Sequence, residues 1–271
     1  MRSKWVIRAV VSAYLLILVG LPVGFLLIHT WAGGASAVWR SVSAPDAVHA
    51  VILTLETAAV VVPLNALVGI GASLLIARRR GPWVRMVDVL FDVPVAVSPV
   101  IIGVSLVLAY SRIGWFGTAL ANWGLRVIFS PVGIVLASLA VTLPYVVRST
   151  VPLLREIGTD QEWAARTLGA GPWRVLWRVT LPSVKWGVLY GAVLAFLRTL
   201  GEFGAVLIVS GNVTGSTQTL PIYIFDSWDQ NFDFLGSFAG ALELALIAVV
   251  VMSIMSALQR RERKLHAHSA L

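Results

Sequence analysis

Six stretches of this chain are long and apolar enough to cross a bilayer, and no other feature limits its possible folds so sharply. A hydrocarbon core about 30 Å thick takes about 20 mainly apolar residues to span as a helix, and only a helix or a closed barrel satisfies its backbone hydrogen bonds there. The stretches cover residues 9–31, 50–76, 87–110, 127–147, 186–210 and 236–258. They predict an all-α integral membrane protein with six transmembrane helices, the whole of residues 1–271 forming one membrane domain. Composition agrees, since hydrophobic residues make up 58% of the chain and charged residues only 13%, about half the usual charged share. Arg2, Lys4 and Arg8 followed by apolar sequence and Ala35-Ser36-Ala37 have the order of a secretory leader. The apolar run from 9 to 28 is too long for one, so an uncleaved first span is expected.

The charges that remain set the direction of the spans. One side receives Arg2, Lys4, Arg8, Arg78, Arg79, Arg80, Arg85, Arg148, Arg155, Arg166, Arg174, Arg178, Lys185, Arg260, Arg261, Arg263 and Lys264. The other receives only Arg40, Arg112 and Arg126. Loops rich in Lys and Arg stay in the cytoplasm, so both termini are expected there, in a multi-pass protein of the cell (inner) membrane. The last outer loop, 211–235, carries Asp226, Asp229 and Asp233 and no base, which fits. A net charge of +8 distributed at span ends is the pattern of membrane orientation rather than of nucleic-acid binding. The chain has no cysteine, which removes disulfides and thiolate chemistry. His29 stands alone, and Asp46 with His49 and Glu262 with His266 offer two ligands each where a metal site needs three or four.

One polar stretch interrupts the apolar pattern. Residues 162–182 read EWAARTLGAGPWRVLWRVTLP. Thr159 and Glu162 have the spacing of a capping box, so a short helix is expected to begin there. Glu162 and Arg166 then stand one turn apart in the favourable order. Gly169 ends that helix in a left-handed conformation and Pro172 opens a second. In the second, Trp173, Leu176, Trp177 and Thr180 recur at helical spacing before Leu181-Pro182 turns the chain into the fifth span. Such a pair of helices, small-sided at Ala164 and Ala165, suits docking onto another protein. It equally suits an interfacial loop with tryptophans at headgroup depth and arginines against anionic lipid.

Ala164-Ala165, three residues, Gly169, nine residues and Val179-Thr180-Leu181-Pro182 resemble the coupling motif of ABC-importer permeases, Glu-Ala-Ala-x3-Gly-x9-Ile-x-Leu-Pro. The resemblance implies a type I ABC importer permease fold, with segment 159–182 docking into a cytoplasmic ATPase and carrying its closure to the spans. Glu162, Trp163, Ala164, Ala165, Gly169, Leu181 and Pro182 would be the coupling residues. Alignment on Gly169 puts Trp163 where the motif has Glu, with Glu162 one place earlier. One place is about 100° around a helix, so Glu162 cannot point where the family's glutamate points, and Trp163 would pack into the ATPase groove instead. VPVAVSPV (93–100), GWFG (114–117), TLPYV (142–146), GEFGAV (201–206) and TLP (219–221) resemble sulfate/thiosulfate importer permeases, the W-type subunit more than the T-type.

That resemblance implies alternating-access import by a heterodimer with the T-type permease, an ATPase pair and an extracytoplasmic sulfate-binding protein. ATP would be used by the ATPase partner; this subunit would hold no cofactor or metal, would carry no catalytic residue and would not be an enzyme. No Gly-rich phosphate loop with its lysine is present. Ionisable residues inside spans usually face a protein or aqueous interior, which selects Glu56, Arg198, Glu202 and Glu243 as candidates for the translocation pathway. Asp88 and Asp92, at a span end, are expected to reach water. Arg198 and Glu202, one turn apart, can pair, either as a structural ion pair or with Arg198 offering a donor fork to a passing oxyanion. A molybdate or tungstate permease shares much of this text. A stand-alone secondary transporter would share the intramembrane charges but not the coupling helix.

Overall fold

The computed structural model describes the backbone of residues 2–269 and the side chains of Lys4, residues 6–8 and residues 10–258. The side chains of Arg2, Arg260, Arg261, Glu262, Arg263, Lys264 and His266, invoked above for orientation or pairing, lie outside the described residues. In chain order the helices are α1 Arg2–Leu15, α2 Leu21–Trp31, α3 Ala35–Val42, α4 Pro45–Arg78, α5 Pro82–Leu90, α6 Val93–Ala96, α7 Pro99–Tyr110 and α8 Gly117–Asn122. They continue with α9 Pro131–Ile157, α10 Asp160–Thr167, α11 Pro172–Val175, α12 Leu181–Leu200, α13 Gly204–Ser210, α14 Leu220–Asp229 and α15 Phe234–Ser269. Five segments are long and apolar enough to cross a membrane, Val6–Trp31, Pro45–Arg78, Pro131–Ile157, Pro172–Leu200 and Phe234–Leu258. The bent pair Pro82–Ala96 and Pro99–Tyr110 brings the number to six.

The core is a three-helix seam in which α9 packs against both α4 and α12. Glycine makes the close approach possible, because helices in lipid associate through packing rather than through expulsion of water. A Cβ on Gly69 of α4 would lie 2.7 Å from the Val146 Cβ, and one on Gly191 of α12 would lie 2.7 Å from the Val146 Cα. Val146 is fully buried between them. Asn65 Nδ2 donates to Thr142 Oγ1 at 2.6 Å, so the α4 and α9 seam is also hydrogen-bonded. A second cluster joins Leu53 of α4 and Ile134, Ala137 and Val141 of α9 to Ala205, Val206 and Val209 of α13 and Ile222 of α14. The first span is different, with side chains exposed along nearly its whole length. It touches the last span near Phe25 and His29, whose rings lie 6.0 and 5.6 Å from that of Phe238.

Prolines shape four places that a hydropathy reading draws as straight or as turns. The third span is broken by 112°. Val97 and Ser98 are extended there, with ψ of 140° and 136°, because the residue before Pro99 avoids the helical region. The fifth span begins at Pro172 rather than near 186, and Leu181-Pro182 lies inside a continuous helix instead of turning the chain into it. A π turn, Leu176–Thr180, precedes it, and the Leu181 N–H reaches back to Leu176 O. The first span repeats the device: a π turn at Leu16–Gly20 stands directly before Leu21-Pro22. A proline clashes with the carbonyl four residues earlier and lacks an N–H, and the wider turn accommodates both. The fifth span also ends early. The helix stops at Leu200, Gly201 to Phe203 break it, and α13 resumes from Gly204.

Candidate coupling surface and intramembrane charges

The stretch after α9 folds into the two short helices expected of it, but their polar contacts are not the expected ones. Thr159 occupies the N-cap of α10 without a side-chain cap hydrogen bond, so the capping box does not form. Glu162 turns away from it towards the bundle. Its Oε1 accepts from Arg78 Nη2 at 2.8 Å and from Thr180 Oγ1 at 3.0 Å. The expected Glu162–Arg166 pair is therefore replaced, and the Arg166 guanidinium lies over the Trp163 ring, 5.3 Å from its centre. Arg78 also donates through Nη1 to the Leu154 carbonyl at 2.7 Å. Arg78 was legible in the sequence only as one of a run of basic residues. Its role depends on the end of α4 meeting the end of α9, which spacing does not reveal.

The C-terminus of α10 is closed by glycine. Gly169 has φ +84°, its N–H donates to Arg166 O at 2.9 Å, and the Ala170 N–H donates to Ala165 O at 3.0 Å. These two bonds are those of a Schellman motif, which needs a residue at home in the left-handed region. The turn leaves Trp163, Leu168, Trp173 and Trp177 exposed, Leu168 at 88%. The last two are edge-to-face with ring centres 5.9 Å apart. Ala164 is exposed and Ala165 half-buried, while Val175 and Thr180 are buried against the bundle. Leu181 and Pro182 open α12, Leu181 half-buried and Pro182 exposed. The face these side chains share is rich in tryptophan and also carries the exposed Arg166, Arg174 and Arg178.

Inside the bundle, Arg198 and Glu202 are brought together, Nη1 to Oε2 at 2.8 Å. The glutamate side chain is 1% exposed and the arginine side chain 31%. Glu202 Oε1 accepts from the Ala205 N–H at 3.0 Å. The carboxylate thus caps the start of α13 where the fifth span breaks, a stabilising place for negative charge at a helix N-terminus. Glu56 and Glu243 do not join them. Glu56 lies exposed on the face of α4 that also shows Ile52, Leu55 and Val60, Glu243 is half-buried on α15, and neither forms an ion pair among the described residues.

Asp88 and Asp92 do not simply reach water. Arg148 of α9 binds both, Nη1 to Asp88 Oδ1 and Nη2 to Asp92 Oδ1, each at 2.7 Å. Arg148 Nη2 also donates to the Asp88 carbonyl at 2.8 Å. The clamp pins the first limb of the broken third span to the core. At the other end, Asp226 of α14 is buried, its Oδ2 accepting from Asn212 and Gln218, each at 2.6 Å. The Leu220 N–H donates to Thr54 Oγ1 of α4 at 2.8 Å. The loop that the sequence reading placed outside is therefore an ordered part of the bundle.

A bundle of continuous and broken apolar spans with a short exposed helix at one end is the architecture of a multi-pass membrane component. The chain belongs to the family of binding-protein-dependent transport system inner membrane components, whose model matches residues 69–264. It is 38% identical over 260 residues to the sulfate transport system permease protein CysW of Synechocystis, covering 96% of this chain and 94% of that one. It is 37% identical to CysW of Escherichia coli over 262 residues, 96% and 89% of the two chains. The molybdenum transport system permease protein ModB of Mycobacterium tuberculosis is 40% identical over 217 residues, 80% of each chain. The fold matches a bacterial ABC transporter that imports alginate, with a TM-score of 0.80 over 96% of both chains at 17% identity. It also matches the MetNI methionine ABC transporter, with a TM-score of 0.62 over 80% and 95%. The chain is a permease subunit of an ABC importer.

Proposed function

We propose that this permease imports sulfate or thiosulfate by alternating access, with ATP hydrolysed by a separate pair of ATPase subunits. The observation that carries the coupling half of the reading is α10, a helix with no buried residue that presents Trp163 and Leu168 outward and anchors inward through Glu162. The carrier half rests on the likeness to the CysW proteins over nearly the whole chain. In this reading both termini and α10 face the cytoplasm, residues 1–271 act as one membrane domain, and a T-type sister permease covers the exposed face of α4. An extracytoplasmic sulfate-binding protein delivers the anion at the Asp226 end. Arg198 lies along the pathway, and Glu202 keeps it from holding the anion tightly.

The test is purification of the tagged chain with its operon partners, reconstitution into proteoliposomes and uptake of radiolabelled sulfate. Sulfate uptake that needs internal ATP and the binding protein supports the proposal. Uptake of molybdate in preference to sulfate would transfer the reading to the molybdenum carriers, which the ModB likeness favours. Uptake by the chain alone, without an ATPase, would refute it.

A further inference from the structure

We propose that Arg78, with Thr180, is a positioning residue of the coupling step: it ties α10 to α4 and α9 through the Glu162 carboxylate. The inference rests on the coupling reading of α10. Three routes lead from α10 into the membrane. Towards α12 the route is direct, because α10 packs against α11 and the following π turn, and the helix from Pro172 runs unbroken to Leu200. Towards α9 the covalent route passes Gly158, at φ +69°, where the helix ends and the chain pivots. A pivot transmits little. Towards α4 there is no covalent route at all.

Arg78 supplies what those two routes lack. Its Nη1 holds the Leu154 carbonyl on α9 at 2.7 Å and its Nη2 holds Glu162 on α10 at 2.8 Å, while its own backbone is the last helical residue of α4. The pair is mostly buried, 18% and 14% exposed, so solvent screens it little. The cavity enclosed by Arg78, Leu154, Glu162, Thr180 and their neighbours is ≈ 10 Å³, about the room for one water. A displacement of α10 is carried to Arg78 through these direct bonds. Two donors in a fixed fork are needed at once, which an ammonium does not supply.

The geometry also accounts for the shifted glutamate. At position 162 the carboxylate faces the bundle and is consumed there, and position 163, about 100° round, is left to Trp163 on the outer face. The carboxylate contact at this site is internal, and the partner meets tryptophans interleaved with Arg166, Arg174 and Arg178.

The experiment compares Glu162→Gln, Arg78→Gln, Arg78→Lys, Thr180→Val and the double Arg78→Gln/Glu162→Gln in the reconstituted complex, reading radiolabelled sulfate taken up per ATP hydrolysed. Loss of the ion pair predicts a fall of about tenfold in that ratio for the two glutamine variants, and loss of the single hydroxyl donor to the same carboxylate, which Arg78 still holds, about threefold for Thr180→Val. Arg78→Lys should retain part of the ratio, and the double variant should be no worse than the poorer single one. A residue that only stabilises the fold would lower yield, uptake and hydrolysis together and leave the ratio alone. An unchanged ratio in both Thr180→Val and Arg78→Lys, or losses that multiply in the double variant, would overturn the proposal. Wild-type uptake that proceeds without the ATPase fails the coupling reading itself, independently of these variants.

Discussion

Removing Glu202 tests whether the break in the fifth span is held by one carboxylate. Glu202→Ala strips the Ala205 N–H of its acceptor at 3.0 Å and Arg198 of its counter-ion at 2.8 Å. The lost helix cap costs about 1 kcal/mol. The lost charged contact costs about 2 kcal/mol, near the low end for such bonds because the guanidinium is a third exposed and water compensates part. The sum is about 3 kcal/mol. Glu202→Gln keeps an oxygen for Ala205 and loses only the charge, about 2 kcal/mol. Arg198→Gln leaves a fully buried carboxylate without a cation and should cost more than Glu202→Gln, about 3 kcal/mol. With both residues replaced by glutamine, no unpaired charge remains and most of the stability should return. Reversible unfolding in mixed detergent micelles measures these differences, with the 11 tryptophans as the signal. Equal losses for Glu202→Ala and Glu202→Gln would refute the capping role, and strictly additive losses in the double variant would refute the pair.

Uptake in the same double variant separates structure from pathway: stability recovered without sulfate uptake places Arg198 on the route, and uptake recovered with stability removes it. Gly169→Val forces a β-branched residue to φ +84°, at a cost of about 1–2 kcal/mol in the α10 cap. It should lower ATPase co-purification while leaving insertion intact, and an undiminished ATPase yield would count against α10 as the docking element. Gly191→Leu puts a side chain where a Cβ already lies 2.7 Å from the Val146 Cα. It should cost about 1–3 kcal/mol of overpacking, read in the same unfolding assay, and a neutral result would mean the seam has room for a side chain at Gly191. Reporter fusions in 211–235 should be active only outside the cytoplasm, and a cytoplasmic signal there would reverse the orientation.

Much of this was visible in the chain as written. The spans follow from hydropathy because lipid forces every backbone group into an internal bond, and Gly169 announced its left-handed turn because few other residues adopt one cheaply. The Arg198 and Glu202 pair was legible for the same local reason, since i and i+4 share a helix face. The capping box and the Glu162–Arg166 pair followed equally good local rules and did not form. Their carboxylate had a stronger offer from Arg78, 84 residues away in sequence.

What the sequence determined by itself is therefore the material of the fold: which segments are apolar enough to enter the bilayer, and where proline and glycine forbid a simple helix. What tertiary structure alone decided is which charges meet. Asp88 and Asp92 find Arg148 across 60 and 56 residues of chain, the second distance being the difference of the two numbers. Asp226 is satisfied by amides from its own loop, and Glu162 by α4 and the π turn. A charge taken out of water is costly enough to leave unpaired that a buried one finds a partner. The partner that settles it is fixed by where helices cross, which depends on the glycine contacts and proline bends of several segments at once.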